Sequence, residues 1–174
     1  PIDGRVNLSN PSVILEIHKN YLNAGSEIIL SNTFSLNRLY LETHNMDVDL
    51  IEANKKAVAI ALDACDKGQY VLGDIGPTGQ FLEPLGCYIT KDFYSNFEEQ
   101  ASLLADCGVD GFLIETMGHL EEALCALHAC RDISPLPVFV SITFSKTPRG
   151  FYTMMGDSLE SCAVKLSAGG ASVI

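Results

Sequence analysis

Polar side chains follow four apolar runs of the sequence, at the point where each run stops. They belong to the segments Ser31-Asn32-Thr33-Phe34, Asp74-Ile75-Gly76-Pro77-Thr78-Gly79, Glu115-Thr116 and Ser141-Ile142-Thr143-Phe144. Each segment supplies a hydroxyl, an amide or a carboxylate. In parallel α/β folds, functional side chains gather where the strands end at their carboxyl side. If the four runs are parallel strands, these side chains line one mouth.

Glu115 is the strongest single candidate for a ligand contact. It follows the apolar residues Phe112-Leu113-Ile114, so its carboxylate lies where burial is costly without a cationic partner. The ammonium group of a substrate would supply that partner. A carboxylate that caps the next helix, or that pairs with a structural arginine, fits the same pattern. The residues alone leave these two interpretations open.

Three glycines and a proline surround an acid and a hydroxyl in Gly73-Asp74-Ile75-Gly76-Pro77-Thr78-Gly79. Glycine permits tight turns and lets the backbone approach a ligand closely. The segment lacks the Lys-Ser/Thr ending of a P-loop and the spacing of a dinucleotide-binding fingerprint, so it predicts no phosphate site. As a bare pattern it favours a loop over a binding site. Asn32-Thr33 equally fits an Asx-type turn.

Composition and cysteine usage narrow the class of protein. The chain has 22 acidic and 11 basic residues, and its net charge of −11 repels phosphate backbones, so we expect no nucleic-acid partner. No apolar run approaches the ~18 residues of a membrane span, so we expect no membrane partner. The six cysteines form no CxxC pair and predict reduced thiols in a reducing compartment such as the cytoplasm.

A metal site and a hydrolytic triad are both poorly supported by the sequence. Cys125 and His128 lie one helical turn apart, but no second pair of ligands is near them in the sequence. We therefore predict no metal site on this chain. The four histidines lie on or beside predicted helices, and no Ser-His-Asp arrangement can be assembled at the strand ends.

Helical and strand patterns alternate along the chain. Helices are predicted over residues 11–23, 47–65, 91–107, 119–133 and 157–167, and short apolar strands over 28–30, 70–74, 109–114, 137–141 and 171–174. This order predicts a parallel sheet with helices outside it, in a single domain over residues 1–174. Periodicity does not separate a closed barrel from an open, doubly wound sheet. Because 174 residues fall short of the ~250 of an eight-fold barrel, we expect an incomplete barrel.

Several segments together resemble the homocysteine S-methyltransferase family. They are Asn7-Leu8-Ser9-Asn10-Pro11, Ala24-Gly25-Ser26-Glu27-Ile28-Ile29, Ser31-Asn32-Thr33-Phe34 and Gly108-Val109-Asp110-Gly111 leading to Ile114-Glu115-Thr116. The Gly73-to-Gly79 segment, followed by Pro84-Leu85-Gly86, is most similar to the branch of cobalamin-dependent methionine synthases. The resemblance covers nearly the whole chain in the right order. It implies a (β/α)8 barrel, of which this chain resembles about strands two to six.

The resemblance implies that this chain carries only some of the residues of the family's site. Glu115 matches the family's strand-four glutamate, which helps to bind the amino group of homocysteine. Thr33, with Asn32 beside it, matches the strand-two segment at the same mouth. Asp74, Thr78, Ser141 and Thr143 fall at matching strand ends of the same mouth. None of the six cysteines matches the family's three zinc ligands, which we expect beyond Ile174, and Asp3-Gly4 lacks the Gly-Thr of the family's first-strand motif.

The implied reaction is methyl transfer to the sulfur of homocysteine, giving methionine. Zinc would convert the thiol, whose free pKa is about 8.5, into a reactive thiolate. In the methionine synthase branch the methyl donor is methylcobalamin, which is recharged from methyltetrahydrofolate on other domains, so a cobalamin-binding domain or corrinoid protein is the implied partner. The alternatives are a stand-alone enzyme that uses betaine or S-methylmethionine, and a non-catalytic barrel relative. We expect the chain by itself to be inactive, because the zinc ligands lie outside it.

Overall fold

The computed structural model of the chain describes residues 3–174. Helices and strands alternate over most of this length. The helices are α1 Val6–Ser9, α2 Pro11–Asn23, α3 Arg38–Thr43, α4 Leu50–Ala64, α5 Thr90–Asp106, α6 Leu120–Ile133 and α7 Leu159–Ala168. The strands are β1 Ile28–Leu30, β2 Tyr70–Ile75, β3 Gly111–Met117, β4 Val138–Ile142, β5 Ser145–Thr147 and β6 Gly150–Tyr152. None of these helices combines the length and the apolar character needed to cross a membrane.

Strands β1 to β4 form one parallel sheet in the order of the sequence. In the register, Leu30 pairs with Leu72, and Asp74 pairs with Leu113. Val173, which belongs to the last predicted strand (residues 171–174), makes a parallel bridge to Phe139 of β4. Each connection between neighbouring strands carries at least one helix, which is the arrangement that parallel strands require. The predicted α/β fold with a parallel sheet is therefore confirmed.

The main core between the sheet and the helices lies on one face of this sheet. Alternate strand residues such as Val71, Phe112 and Val138 are fully buried in the core that helices α2 and α4 to α7 complete. On the opposite face, Ile28 and Tyr70 near the start of the strands are 45% and 51% exposed, whereas Leu72 and Asp74 are each 6% exposed. A doubly wound sheet carries helices on both faces, whereas a barrel carries them only outside. The one-sided layer therefore favours the partial barrel over the doubly wound sheet.

Some element boundaries differ from the sequence prediction. Strand β2 runs to Ile75, so Asp74 lies inside a strand and the turn begins only at Gly76. Strand β3 runs to Met117 and has an irregular register after Ile114, so Glu115 is a strand residue and not the first residue of a loop. Helices α1 and α3 and the antiparallel hairpin of β5 and β6 were not predicted. These pieces are short and lack the sustained apolar period that indicates a helix or a strand in a sequence.

Candidate active site

The register of the sheet brings the carboxyl groups of Asp74 and Glu115 to the same face. Leu113 lies opposite Asp74, and side chains two residues apart on a strand share a face. Glu115 therefore projects from the face of Asp74, one step nearer the carboxyl end. That face lies opposite the buried core that Val71 and Phe112 form with the helices. Two neighbouring strands thus place two acids at the predicted mouth.

Asp74 is a buried acid without a cationic partner. Its side chain is only 6% exposed, and its Oδ1 atom has no hydrogen-bond partner among the described residues. Burial, together with the nearby Glu115 carboxylate, raises the pKa of Asp74 to about 8. Both causes act against the charged form, because a buried charge loses its hydration and a second negative charge repels it. At neutral pH the carboxyl group of Asp74 is therefore mostly protonated.

Glu115 is a half-buried acid whose pKa is also raised by burial. The three ion pairs of residues 3–174 join Arg5 to Asp3, Arg38 to Glu99 and Lys165 to Glu121, so none of them engages Glu115. Helix α6, which follows strand β3, has no side-chain cap at its start. Within the described residues, neither a structural arginine nor a helix end takes up this carboxylate.

Hydroxyl groups hold the ends of β1 and β2 together behind the two acids. Thr33 Oγ1 donates a hydrogen bond to the carbonyl oxygen of Asp74 at 2.7 Å, and Ser31 Oγ lies 2.7 Å from Thr33 Oγ1. The backbone N–H of Asp74 donates to Ser31 Oγ at 3.1 Å. Thr33 is fully buried. Thr33 lies just after the first strand, as predicted, and its hydroxyl positions the backbone of Asp74.

Asn32 joins the mouth to the start of the chain. Its amide Nδ2 donates to Asn7 Oδ1 at 2.9 Å and to the carbonyl oxygen of Asp3 at 3.2 Å. In return, Asn7 Nδ2 donates to the carbonyl oxygen of Asn32 at 2.9 Å. Asn7 is fully buried, and its structural role could not be read from the sequence because its partner is 25 residues away. The pair fixes the backbone that carries Asn32.

Thr78 faces away from the two acids and toward helix α6. Its backbone N–H and its Oγ1 both donate to Glu122 Oε1, each at 2.7 Å. Glu122 is almost fully buried, and burial raises its pKa although the bonds from Thr78 oppose the shift. The glycine before this turn is equally constrained, since a Cβ on Gly76 would lie 2.5 Å from the Phe34 carbonyl oxygen. The turn at residues 76–79 is therefore tightly fixed.

Ser141 and Thr143 lie at the exposed end of β4. Ser141 Oγ is 3.5 Å from the backbone nitrogen of Thr116, which donates to it weakly. Thr143 is held through its backbone, whose N–H donates to the Met117 carbonyl oxygen at 2.8 Å. Of the predicted site residues, Asp74, Glu115 and Ser141 lie on the same face, whereas Thr33 and Thr78 support it from within.

Thr116 has an unusual backbone. Its φ angle is +61°, in the left-handed region that β-branched residues rarely adopt. Such backbone conformations cost free energy and cluster at functional sites. The position directly follows Glu115, so the strained residue sets the direction in which the strand leaves the acid.

Replacing Thr116 by glycine is expected to stabilise the protein by up to about 1 kcal/mol, because glycine adopts this backbone conformation without a Cβ penalty. Thr143→Gly is the matched control: this exposed threonine has no positive φ, and its replacement should destabilise slightly. Thermal denaturation of both variants measures the difference. Equal changes in the two variants would show that Thr116 is not strained.

A cavity of about 420 Å³ opens beside Asp74. Its wall combines apolar side chains of α2 and β1 with a few polar groups. The residues on this wall that carry polar groups are His18, Tyr21, Ser31, Asn32 and Asp74. His18 is buried, its Nε2 atom has no hydrogen-bond partner among the described residues, and burial lowers its pKa. The cavity is large enough for part of a small polar ligand.

The described cysteines and histidines do not converge. Within residues 3–174, no group of three His, Cys, Asp or Glu side chains is arranged to hold a metal ion. All six cysteines are free thiols, and burial raises the pKa of Cys125 to about 11 and raises that of Cys130 further. These buried thiols favour the protonated form, which is a poor metal ligand. The residues present therefore do not fit the zinc ion that the family resemblance implies.

The sequence profile of the homocysteine S-methyltransferase family matches residues 4–174 of the chain. The chain belongs to this family. Methionine synthase from Mycobacterium tuberculosis is 31% identical over 156 residues, which span 82% of this chain and 13% of that protein. Betaine–homocysteine S-methyltransferase 1 from Sus scrofa is 27% identical over 172 residues, which span 96% of this chain and 59% of that protein. The predicted resemblance to homocysteine S-methyltransferases is confirmed.

A solved structure agrees with the fold of the family. The metallated form of the homocysteine methyltransferase MmuM from Escherichia coli superposes with a TM-score of 0.80 at 18% identity, over 95% of this chain and 62% of that chain. The predicted fold class, an α/β barrel present in part, is thereby confirmed. The chain spans 13% and 59% of the two curated relatives and 62% of MmuM, so it corresponds to a part of each of them.

Proposed function

We propose that this chain is the amino-acid-binding part of an enzyme that methylates the sulfur of homocysteine to give methionine. The observation that carries the proposal is Glu115. It is a half-buried carboxylate on the open face of the sheet, and no cation of residues 3–174 is paired with it. Its raised pKa reflects a desolvation cost that a ligand ammonium group would offset. Membership of the homocysteine S-methyltransferase family supplies the class of ligand.

The described residues can bind and orient the ligand, and their roles differ. We propose that Glu115 and Asp74 contact the amino group, and that Asn32 and Ser141 contact the polar groups around it. Thr33 and Thr78 act through other residues: Thr33 fixes the backbone of Asp74, and Thr78 fixes the turn after β2. Holding the ligand in one orientation accounts for a large part of the rate in transfer reactions, because it removes translational and rotational freedom beforehand.

The activation of the thiol requires more than these residues provide. Zinc bound to a thiol favours the thiolate, which is the nucleophilic form. No group of ligands within residues 3–174 fits that ion. We therefore propose that the zinc ligands belong to the parent protein outside this chain, and that the chain by itself does not transfer methyl groups.

The methyl donor is proposed from the relatives. The 31% identity to a methionine synthase favours methylcobalamin, with methyltetrahydrofolate as its source on other domains, and a cobalamin-binding domain or corrinoid protein as partner. The 27% identity to a betaine–homocysteine methyltransferase keeps betaine as the second candidate, and S-methylmethionine is the third. The free cysteines and the net charge of −11 support a cytoplasmic protein that binds neither nucleic acid nor membrane.

The parent protein tests the proposal directly. Purified protein is incubated with homocysteine and one methyl donor at a time. The donors are methylcobalamin, betaine and S-methylmethionine, and the methionine formed is measured by mass spectrometry. One donor should give methionine, and cysteine, which is one methylene shorter, should be a poor acceptor. Calorimetry measures homocysteine binding in parallel. A parent protein that neither binds homocysteine nor forms methionine would contradict the proposal and support a non-catalytic relative.

A further inference from the structure

Among residues 3–174, no lysine or arginine is paired with Asp74 or lines the cavity beside it. From α2, His18 lines the same cavity, and its lowered pKa keeps the imidazole neutral. From the segment that follows β1, Ser31 and Asn32 line the cavity and are uncharged. From β3, the nearest charged group is Glu115, which is itself an acid. The described walls of this cavity carry no lysine and no arginine.

A buried acid in such a position avoids the cost of its charge by keeping a proton. The hydroxyl network around Asp74 does not replace that proton, because its bonds reach only the backbone. Thr33 donates to the Asp74 carbonyl oxygen, and Ser31 accepts from the Asp74 N–H. Oδ1 has no hydrogen-bond partner in the part of the chain that the structure describes. The side chain is thus placed by its backbone and left free to meet a group that enters the cavity.

The spacing of the two acids suits a single ammonium group. Glu115 lies two residues beyond the partner of Asp74 on the neighbouring strand. Strand spacing and rise per residue then put the two Cα atoms roughly 8 Å apart. An ammonium nitrogen makes hydrogen bonds of about 2.8 Å to carboxylate oxygens, so one nitrogen can reach an oxygen of each side chain.

We propose that Asp74 carries a proton while the site is empty and releases it when the ammonium group of an amino-acid ligand binds against Asp74 and Glu115. The O–H bond of the Asp74 carboxyl group breaks, and its proton passes to water or buffer. The ligand keeps all three protons of its ammonium group, and no oxidant or reductant takes part. This inference rests on the proposed function, because that function supplies the amino-acid ligand.

The physical cause is the change in charge balance at the site. In the empty site, desolvation and Glu115 both act against ionised Asp74. A bound ammonium group supplies the missing cation, and an opposite charge within about 4–6 Å favours the ionised form of a carboxyl group. Ligand affinity is then linked to pH: below the pKa of Asp74, the affinity rises by up to roughly tenfold for each pH unit.

Calorimetry with L-methionine tests this inference on the parent protein. Methionine carries the amino group but has a thioether in place of the thiol, so no thiol proton contributes to the signal. Titrations at pH 7 in buffers with different ionisation enthalpies give the number of protons released on binding. We expect close to one proton for the wild type and none for Asp74→Asn, whose amide is neutral in both states. Asp63→Asn, at an exposed position on α4, is the control for the loss of one acid and should match the wild type.

The outcomes separate the inference from the proposed function. If methionine and homocysteine both fail to bind the wild type, the proposed function and the inference are both overturned. If they bind without releasing a proton, or if Asp74→Asn still releases one, only the inference is overturned. The desamino analogue 4-(methylthio)butanoate should bind weakly and release no proton. If Asp74→Asn does not fold, the wild type alone decides: methionine affinity should rise with pH between about 6 and 7.5, and a flat profile contradicts the inference.

Discussion

Replacing Glu115 by alanine in the parent protein is expected to weaken homocysteine binding roughly 10- to 100-fold, because a charge-assisted hydrogen bond is worth about 1.5–3 kcal/mol. The variant removes the half-buried acid that no described cation satisfies. Isothermal titration of homocysteine measures the change in dissociation constant. The zinc content should remain that of the wild type, because Glu115 belongs to no metal-binding group of residues 3–174.

Two further variants separate the charge of Glu115 from its shape. Glu115→Gln keeps the volume and one acceptor oxygen but removes the negative charge, so it should lose most of the affinity that alanine loses. Glu16→Gln removes an exposed acid on α2 and should leave the affinity unchanged. Homocysteine binding that is unaffected in both Glu115 variants would refute the role of this residue. A loss confined to Glu115→Ala would mean that the site needs a filled volume and not a charge.

Methionine binding distinguishes Glu115 from Asp74. If Glu115 holds the ammonium group directly, its loss weakens binding at every pH. Asp74 should instead determine how binding depends on pH, because Asp74 ionises when the ligand binds. The two acids are neighbours on one face, so their effects should not be additive, and the double variant measures their coupling.

The main elements of the fold were predictable from local pattern. Helix α2 was predicted over the residues it occupies, because Pro11 fits the first helical turn and the helix ends just before Gly25. The four strands were predicted because a strand buried on both faces has a short apolar run bounded by turns. The face on which the helices pack could not be predicted, since a parallel sheet with one helical layer has the same period as one with two. That question depends on tertiary contacts.

The relative placement of the candidate site residues was predictable, but their contacts were not. The rule that functional groups gather at carboxyl strand ends predicts that Asp74 and Glu115 lie close together, and the two acids do lie on neighbouring strands. It could not tell that Thr33 and Thr78 turn their hydroxyls inward, because a sequence does not show which way a side chain points once a strand ends. It also missed Glu122, whose partner Thr78 is 44 residues earlier. An acid in the first turn of a helix is already explained by the helix dipole, so nothing in the sequence indicated the distant contact with Thr78.

The stability of the sheet is expected to fall as the pH rises from about 4 to about 8, and Asp74→Asn is expected to remove most of that fall. The pKa of Asp74 is about 8 in the folded chain, against about 3.9 in an unfolded one. Between these values the folded state holds one proton more than the unfolded state. The contribution of neutral Asp74 to the free energy of unfolding is therefore complete below about pH 4. It is lost progressively as the pH rises through the folded pKa, at up to about 1.4 kcal/mol per pH unit.

Hydrogen–deuterium exchange of the β2 and β3 amides measures this dependence in the whole protein, after correction for the intrinsic effect of pH on exchange. Burial also raises the pKa of Glu115 and Glu122, so both contribute a slope of the same sign. They are present in the wild type and in Asp74→Asn, and the difference between the two proteins isolates Asp74. The variant should match the wild type near pH 4.5 and be more protected near pH 8. A difference that does not change with pH would mean that Asp74 ionises normally in the folded chain, and it would remove the basis for proton release on ligand binding.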